Sequence, residues 1–215
     1  LTVENTTGLA ISGVVMNDLN QIGGSLYVSD STINGTWSVG GYPIDNPALN
    51  PDFPWNHPVN RDIDRFLIIP CERCVGFRVT VNGGCDWNVL RQGWLGYSVV
   101  GADGFQSSTS SNDDITEPIS VLVGNEIQTN SYNAPIHVQH SGANASVQIF
   151  NNYLTSNITR TSQAQPLSPG LNESIRVTAN MVTILNNYSK THCKMGWWKN
   201  TNNRQNYFGF SSSYK

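Results

Sequence analysis

The chain has 215 residues, of which 38% are apolar and 13% are charged, so it can bury a core without disulfides. The longest apolar run, 66–69, is about four residues long and excludes a transmembrane helix. Residues 1–126 hold 14 carboxylates and five basic residues, a net charge of −9, whereas residues 127–215 hold one carboxylate and seven basic residues, a net charge of +6. This split favours oriented docking to copies of the same chain, to a scaffold or to a charged surface.

Short segments of alternating apolar and polar residues recur along the chain, and no stretch of a dozen residues keeps a helical period. In chain order, strands are predicted over 9–16, 25–29, 36–39, 65–69, 94–100, 119–123, 136–139, 146–150, 157–161 and 174–185. About ten short strands separated by Gly, Asn and Ser clusters predict an all-β fold, namely an antiparallel sandwich, jelly roll or compact barrel. We treat 1–215 as a single β domain that ends in an extended aromatic and basic segment, 190–215.

The clearest turn signal is an Asn-Gly-Gly loop at 82–84, which predicts a β-hairpin. A three-residue loop places Val79 opposite Trp87 on an apolar face and Thr80 opposite Asp86 on the other face. A two-residue loop would instead pair Val79 with Asp86. The three-residue loop is favoured because it keeps the two faces separate and lets a glycine take positive φ.

The segment 42–58 holds five of the ten prolines and three aromatic residues, which makes it stiff and unsuited to regular strand pairing. Loops of this kind often bind ligands, because an aromatic face stacks on a sugar ring while amide groups bind its hydroxyls. The candidate receptor-binding or carbohydrate-binding residues are Tyr42, Trp55, Asn56 and His57. For Trp55 itself, an aromatic clamp that only pins the loop is favoured over a ligand platform.

The four cysteines have three interpretations. Cys71 and Cys74 form a C-x-x-C pair, whereas Cys85 and Cys193 are single, and four thiolates could form a tetrahedral zinc site. A structural zinc site usually has two close pairs, however, and the hairpin register directs Cys85 into the apolar face. We therefore favour buried or free thiols over disulfides, and disulfides over zinc. We expect no cofactor.

Candidate catalytic groups are few. His137 and His140 would share one side of a helix but lie on opposite sides of a strand, which argues against a metal pair. Asp62 and Asp64 are bracketed by arginines and are interpreted as a surface charge cluster. No GxSxG, P-loop, GxGxxG or HExxH motif occurs. A glycosidase needs only two carboxylates from distant strands, but we favour a protein that is not an enzyme.

The tail 190–215 carries five basic residues, no carboxylate and several aromatic residues. Nucleic-acid binding through phosphate attraction and base stacking is one interpretation. Five charges spread over this length are sparse for that role. We therefore favour docking of the tail on an acidic neighbour.

Richness in Asn, Ser and Thr, many short strands, a Pro-rich loop and the lack of a catalytic motif together resemble the capsid and spike domains of small non-enveloped RNA viruses. Shell-forming jelly rolls often carry a basic N-terminal arm, whereas residues 1–60 hold no Lys or Arg, so a protruding domain is the better match. The resemblance implies a dimeric or trimeric all-β domain on the virion surface that binds a host receptor, for example a glycan, and contributes to capsid assembly without membrane insertion. The alternatives are a secreted carbohydrate-binding β-sandwich lectin or adhesin, and a purely structural capsid subunit.

Overall fold

The computed structural model describes residues 1–45, 66–109, 115–130, 134–156, 174–190, 197–200 and 206–210. The regular secondary structure of these residues is all β. In chain order the strands are β1 (Thr2–Glu4), β2 (Leu9–Ser12), β3 (Val15–Met16), β4 (Leu19–Ile22), β5 (Gly24–Ser29), β6 (Thr32–Ile33), β7 (Thr36–Gly40), β8 (Tyr42–Asp45), β9 (Phe66–Ile69), β10 (Cys71–Phe77), β11 (Thr80–Val81), β12 (Gly84–Asn88), β13 (Leu90–Gly96), β14 (Val99–Val100), β15 (Phe105–Thr109), β16 (Ile119–Val123), β17 (Glu126–Thr129), β18 (Ile136–His140), β19 (Ser146–Phe150), β20 (Tyr153–Ser156), β21 (Ile175–Ala179), β22 (Met181–Lys190), β23 (Trp197–Asn200) and β24 (Asn206–Phe210).

The chain winds through three faces in repeated coils. Face A is an 8-stranded sheet in the order β1, β4, β7, β12, β15, β18, β21, β23. A 14-stranded sheet supplies face B, formed by β2, β5, β10, β13, β16, β19, β22 and β24, and face C, formed by β3, β6, β11, β14, β17, β20 and the end of β22. Strand pairing within these sheets is parallel. Two all-parallel sheets wound in this order form a parallel β-helix.

The predicted antiparallel sandwich, jelly roll or compact barrel is therefore wrong, and so is the hairpin around 82–84. Val75 pairs in parallel with Trp94 of the next coil, and Asp86 pairs in parallel with Ser38 of the preceding one. The Asn-Gly-Gly loop turns the chain from face C to face A instead of reversing it. Apolar and polar residues alternate in any sheet with one buried side, so the pattern does not distinguish the two pairings.

Inward-facing side chains of successive coils stack into one core. Trp37, Trp87 and Phe105 are fully buried on neighbouring strands of face A. Their rings meet edge to face, with centroids 5.0 Å apart for the two tryptophans and 5.2 Å apart for Trp87 and Phe105, which is a favoured aromatic geometry. The prediction that Trp87 lies in the core is confirmed.

Face B meets face C at a tight corner. In the seven described corners the first of two residues has positive φ: Gly13, Asp30, Arg78, Tyr97, Gly124, Asn151 and Asn186. The residues that follow are Val14, Ser31, Val79, Ser98, Asn125, Asn152 and Asn187. At the last four of these positions, the side-chain oxygen accepts a hydrogen bond from the backbone N–H of the corresponding residue in the preceding coil. We call Ser98, Asn125, Asn152 and Asn187 the corner ladder.

One coil carries an additional hairpin between faces A and B. Strands β8 and β9 pair antiparallel after β7 and before β10. The prediction that 42–58 is unsuited to strand pairing is thus wrong for its first four residues, and 46–58 lies outside the described residues.

Several predicted strands have clear outcomes. Strands at 119–123 and 146–150 are confirmed with the predicted bounds. The predicted strand 9–16 is split by a corner into β2 and β3. The predicted strand 157–161 lies outside the described residues.

Candidate binding face

Face A presents polar side chains outward in two rows that cross the coils. Neighbours in each row are aligned by the parallel strand register. One row is Asn20, Ser38, Asp86, Gln106, His137 and Arg176, and the other is Asn88, Ser108, Gln139 and Thr178. We call these residues the polar array. Strands in a sheet lie ~4.8 Å apart, so the array offers a hydrogen-bonding group at each step along the helix axis.

Face B carries large apolar groups among its outward positions, beside polar ones such as Arg73, Gln92 and Gln148. Its outward positions include the half-buried side chains of Val75, Phe77, Trp94, Val121, Val123 and Phe150. Both faces alternate in the same way, so the difference lies in which residue types occupy the outward positions. The two rows of face A hold polar side chains only, which suits this face to a polar ligand.

Hydrogen bonds fix the centre of the polar array. The Asn88 amide donates to Asp86 Oδ1 at 2.8 Å, and the Ser108 backbone N–H donates to Asn88 Oδ1 at 3.0 Å. Asn88 is thereby held on both sides and orients the exposed Asp86 carboxylate. Groups oriented before binding lose less entropy when a ligand arrives.

The charges of the array are separated along the axis. Burial lowers the pKa of His137, and the adjacent Arg176 cation lowers it further, so the imidazole is neutral at neutral pH. Asp86 on β12 and Arg176 on β21 are three strand spacings apart, ~14 Å. The array therefore has an anionic and a cationic position with neutral groups between them.

Long connections enter the fold at the two corners that border face A. Between faces A and B these connections are 41–70 and 110–118, and between faces C and A they are 130–135 and 157–174. The corner between faces B and C has two residues in every described coil. In solenoid proteins, insertions on one side often mark the binding side.

The structure describes one of the four candidate residues of the Pro-rich segment. Tyr42 is the first residue of β8 and leaves the coil at one margin of face A. Trp55, Asn56 and His57 lie outside the described residues. The sequence did not identify the polar array, because Gln106, His137 and Arg176 are aligned only by the parallel register.

The described cysteines are buried inside the coils. Cys71, Cys74 and Cys85 are free thiols, and Cys71 Sγ donates to the Gly40 carbonyl at 2.7 Å. Burial raises the pKa of Cys71 to about 11 and raises the pKa of the other two as well. The described residues contain no cluster of three or more potential metal ligands, and Cys193 lies outside them.

These thiols should react slowly in the folded protein, because the thiolate is the reactive form and burial disfavours it. In a Cys193→Ser variant at pH 8, we expect a thiol-reactive dye to label fewer than one cysteine quickly before denaturation and three after it. Ellman titration with and without urea measures this. Fast labelling of the native variant, or release of zinc on denaturation, would contradict the buried-thiol interpretation.

The two histidines of β18 lie on opposite sides, as the strand interpretation predicted. His137 is half-buried on the outer side, whereas His140 is buried in the core. His140 Nε2 is 2.8 Å from Ser120 Oγ, and no hydrogen-bond partner is present for its Nδ1. Burial lowers the pKa of His140 to about 4. Because both members of this pair are buried, it belongs to the core of the coil.

The carboxylates of face A are far apart. At the outward positions of its described strands they are Glu4 and Asp86, which are three strand spacings and two register positions apart, more than ~14 Å. Paired glycosidase carboxylates are separated by ~5–9.5 Å.

The described residues also include no helix long and apolar enough to cross a membrane. Comparison of the chain with protein-family models, with curated proteins and with solved structures finds no match.

Proposed function

We propose that the chain is a non-enzymatic attachment module that binds an extended, hydroxyl-rich glycan along face A. The observation that carries the proposal is the polar array, whose amide, hydroxyl and charged groups are repeated on successive strands. Amide and carboxylate groups bind sugar hydroxyls directionally. On the described strands of face A, the wide spacing of the two outward carboxylates supports binding over hydrolysis.

The proposed setting is an exposed biological surface, with the outside of a virion first and a secreted lectin or adhesin second. The resemblance to capsid spike domains implied a sandwich or jelly roll, and the parallel β-helix contradicts that implied fold. Receptor attachment and self-assembly remain the proposed roles.

A glycan-array screen of the purified chain tests the proposal. We expect reproducible glycan binding, and we expect Gln106→Ala and Asp86→Ala each to weaken it about tenfold. Gln148→Ala is the matched control because Gln148 faces outward on face B. Trp55→Ala tests in the same screen whether the Pro-rich segment contributes.

Two results would overturn the proposal. One is the absence of binding to any glycan. The other is binding that Gln106→Ala and Asp86→Ala leave unchanged while Gln148→Ala or Trp55→Ala abolishes it, because the ligand would then lie away from the polar array.

A further inference from the structure

The corner between faces B and C carries two bulky residues in a backbone conformation that suits glycine and asparagine. The first corner residue has positive φ in each of the seven described corners, and in four of them it is Gly or Asn. Arg78 and Tyr97 take this position in consecutive coils, each with φ of 53°, although large side chains are disfavoured there. Strained positions of this kind persist where surrounding contacts hold them, and they concentrate at binding sites. The strain therefore directs attention to what Arg78 and Tyr97 present at the surface.

Tyr97 presents an aromatic ring to solvent in the middle of the helix. Tyr97 is 61% exposed, and its ring covers the next corner residue, Gly124, where an added Cβ would lie 3.0 Å from Cδ1 of the ring. Phe77 packs edge to face against the same ring, with centroids 5.8 Å apart. The corners of the preceding and following coils are both described, so the exposure of Tyr97 does not come from an end of the helix. A ring that is both exposed and held in place offers a stacking surface.

A charged pair borders this ring. Asp30 is the corner residue of the coil before Arg78, and the two are joined by a fork of contacts, Nε to Oδ1 at 2.7 Å and Nη2 to Oδ2 at 3.0 Å. The Arg78 guanidinium is also held over the Phe77 ring, with Cζ 4.5 Å from its centroid. Both charged side chains remain about half exposed. The fork leaves further guanidinium N–H groups and carboxylate lone pairs for a ligand.

We propose that Asp30, Arg78 and Tyr97 form a second binding site, the corner site, for one neutral pyranose ring. A pyranose has an apolar C–H face and a rim of hydroxyls. Its C–H face stacks on Tyr97, while neighbouring hydroxyls donate to the Asp30 carboxylate and accept from the Arg78 guanidinium. The three corner residues follow one another at strand spacings of ~4.8 Å, so one sugar can reach the ring and the charged pair together.

The charges of the corner site set its preference among sugars. The Asp30 carboxylate repels an acidic sugar, because like charges that face each other disfavour binding. The corner site lies between faces B and C, away from the polar array of face A. The inference therefore does not depend on glycan binding to face A.

Ligand-observed NMR titration tests the corner site. The neutral probes are methyl β-galactoside, methyl β-glucoside and methyl α-mannoside, and the acidic probe is methyl β-glucuronide. We expect at least one neutral probe to bind with a Kd of about 1 mM and the glucuronide to bind about tenfold more weakly or not at all.

Two substitutions remove the proposed contacts without adding backbone strain. Tyr97→Asn and Asp30→Gly should each weaken binding of the neutral probe about tenfold. Asparagine already takes this corner position at 151 and 186, and glycine takes it at 13 and 124, so both variants should fold. Urea unfolding checks that they do.

Tyr153→Ala is the matched control, because Tyr153 is an exposed tyrosine on face C, two coils further along. It should bind the sugar like the wild type. Binding of none of the neutral probes, or equal binding by wild type and Tyr97→Asn, would overturn the inference. So would self-association that Tyr97→Asn abolishes in place of sugar binding, because the surface would then be a protein interface.

The same titration separates this inference from the proposed function. Loss of sugar binding in Gln106→Ala with retention in Tyr97→Asn would place the sugar on face A, which overturns the corner site and supports the proposed function. Sugar binding that depends on Tyr97, in a chain that binds no extended glycan through face A, would support the corner site and overturn the proposed function.

Discussion

Asn152→Ala is expected to lower the free energy of unfolding by about 3 kcal/mol. Asn152 Oδ1 accepts the Asn125 backbone N–H at 2.9 Å, and its side-chain amide donates to the Leu122 carbonyl at 3.0 Å. Asn152 is almost fully buried, so alanine leaves these backbone groups without partners and without water. The cost combines unpaired buried polar groups with a small cavity. Urea unfolding followed by tryptophan fluorescence measures it.

Asn144→Ala is the matched control for the ladder. Asn144 is exposed and donates to Glu117 Oε1 at 3.0 Å, so its loss should change stability by no more than about 0.5 kcal/mol. If Asn152→Ala cost no more than this control, the corner ladder would not stabilise the coils.

Acidification is expected to remove about 3 kcal/mol of stability between pH 6.5 and 4 through His140. Burial lowers the pKa of His140 from its usual 6.5 to about 4 in the folded chain. Above pH 6.5 the imidazole is neutral in both states, so stability is fully retained. As pH falls below 6.5, the unfolded state takes up the proton first and is stabilised. The loss continues until the folded state also protonates near pH 4.

His140→Gln isolates this effect, since glutamine can still bond to the Ser120 hydroxyl but does not titrate. The variant should lose much less stability than the wild type over the same pH range. His137→Gln is the control: burial and Arg176 lower the pKa of the half-buried His137 too, so it adds a smaller change of the same sign. Equal pH slopes for wild type and His140→Gln in urea unfolding would contradict the account.

The sequence predicts which residues are buried better than how the strands pair. Alternation placed Val79 and Trp87 in the core and separated His137 from His140, and the structure agrees on each. These inferences depend only on side chains pointing alternately to opposite sides of a strand. That geometry is common to parallel and antiparallel sheets, so it carried no information on pairing.

Parallel coils were missed because the coil length varies. Successive corners between faces B and C are 17, 48, 19, 27, 27 and 35 residues apart, so no repeat of fixed period exists. The variation comes from insertions at the other two corners, such as 41–70 and 157–174. The sequence does contain one local sign of the corners between faces B and C: an Asn-Asn pair follows an apolar strand at both 151–152 and 186–187.

The candidate site was only partly accessible from the sequence. An aromatic segment such as 42–58 is recognisable from composition alone. The polar array depends on Asp86, Gln106 and His137 coming from three consecutive coils. Their spacing along the chain is set by insertions, so only the fold brings them together.

The parallel coil is the central claim, and a disulfide between engineered cysteines tests it most directly. In a Cys193→Ser background, Ser38→Cys with Asp86→Cys joins register partners of β7 and β12, whose ~4.8 Å spacing permits a disulfide. Thr80→Cys with Asp86→Cys joins the partners of the antiparallel hairpin. The β-helix predicts rapid cross-linking of the first pair and none of the second, measured by mass under non-reducing conditions. Cross-linking of the second pair without the first would contradict it.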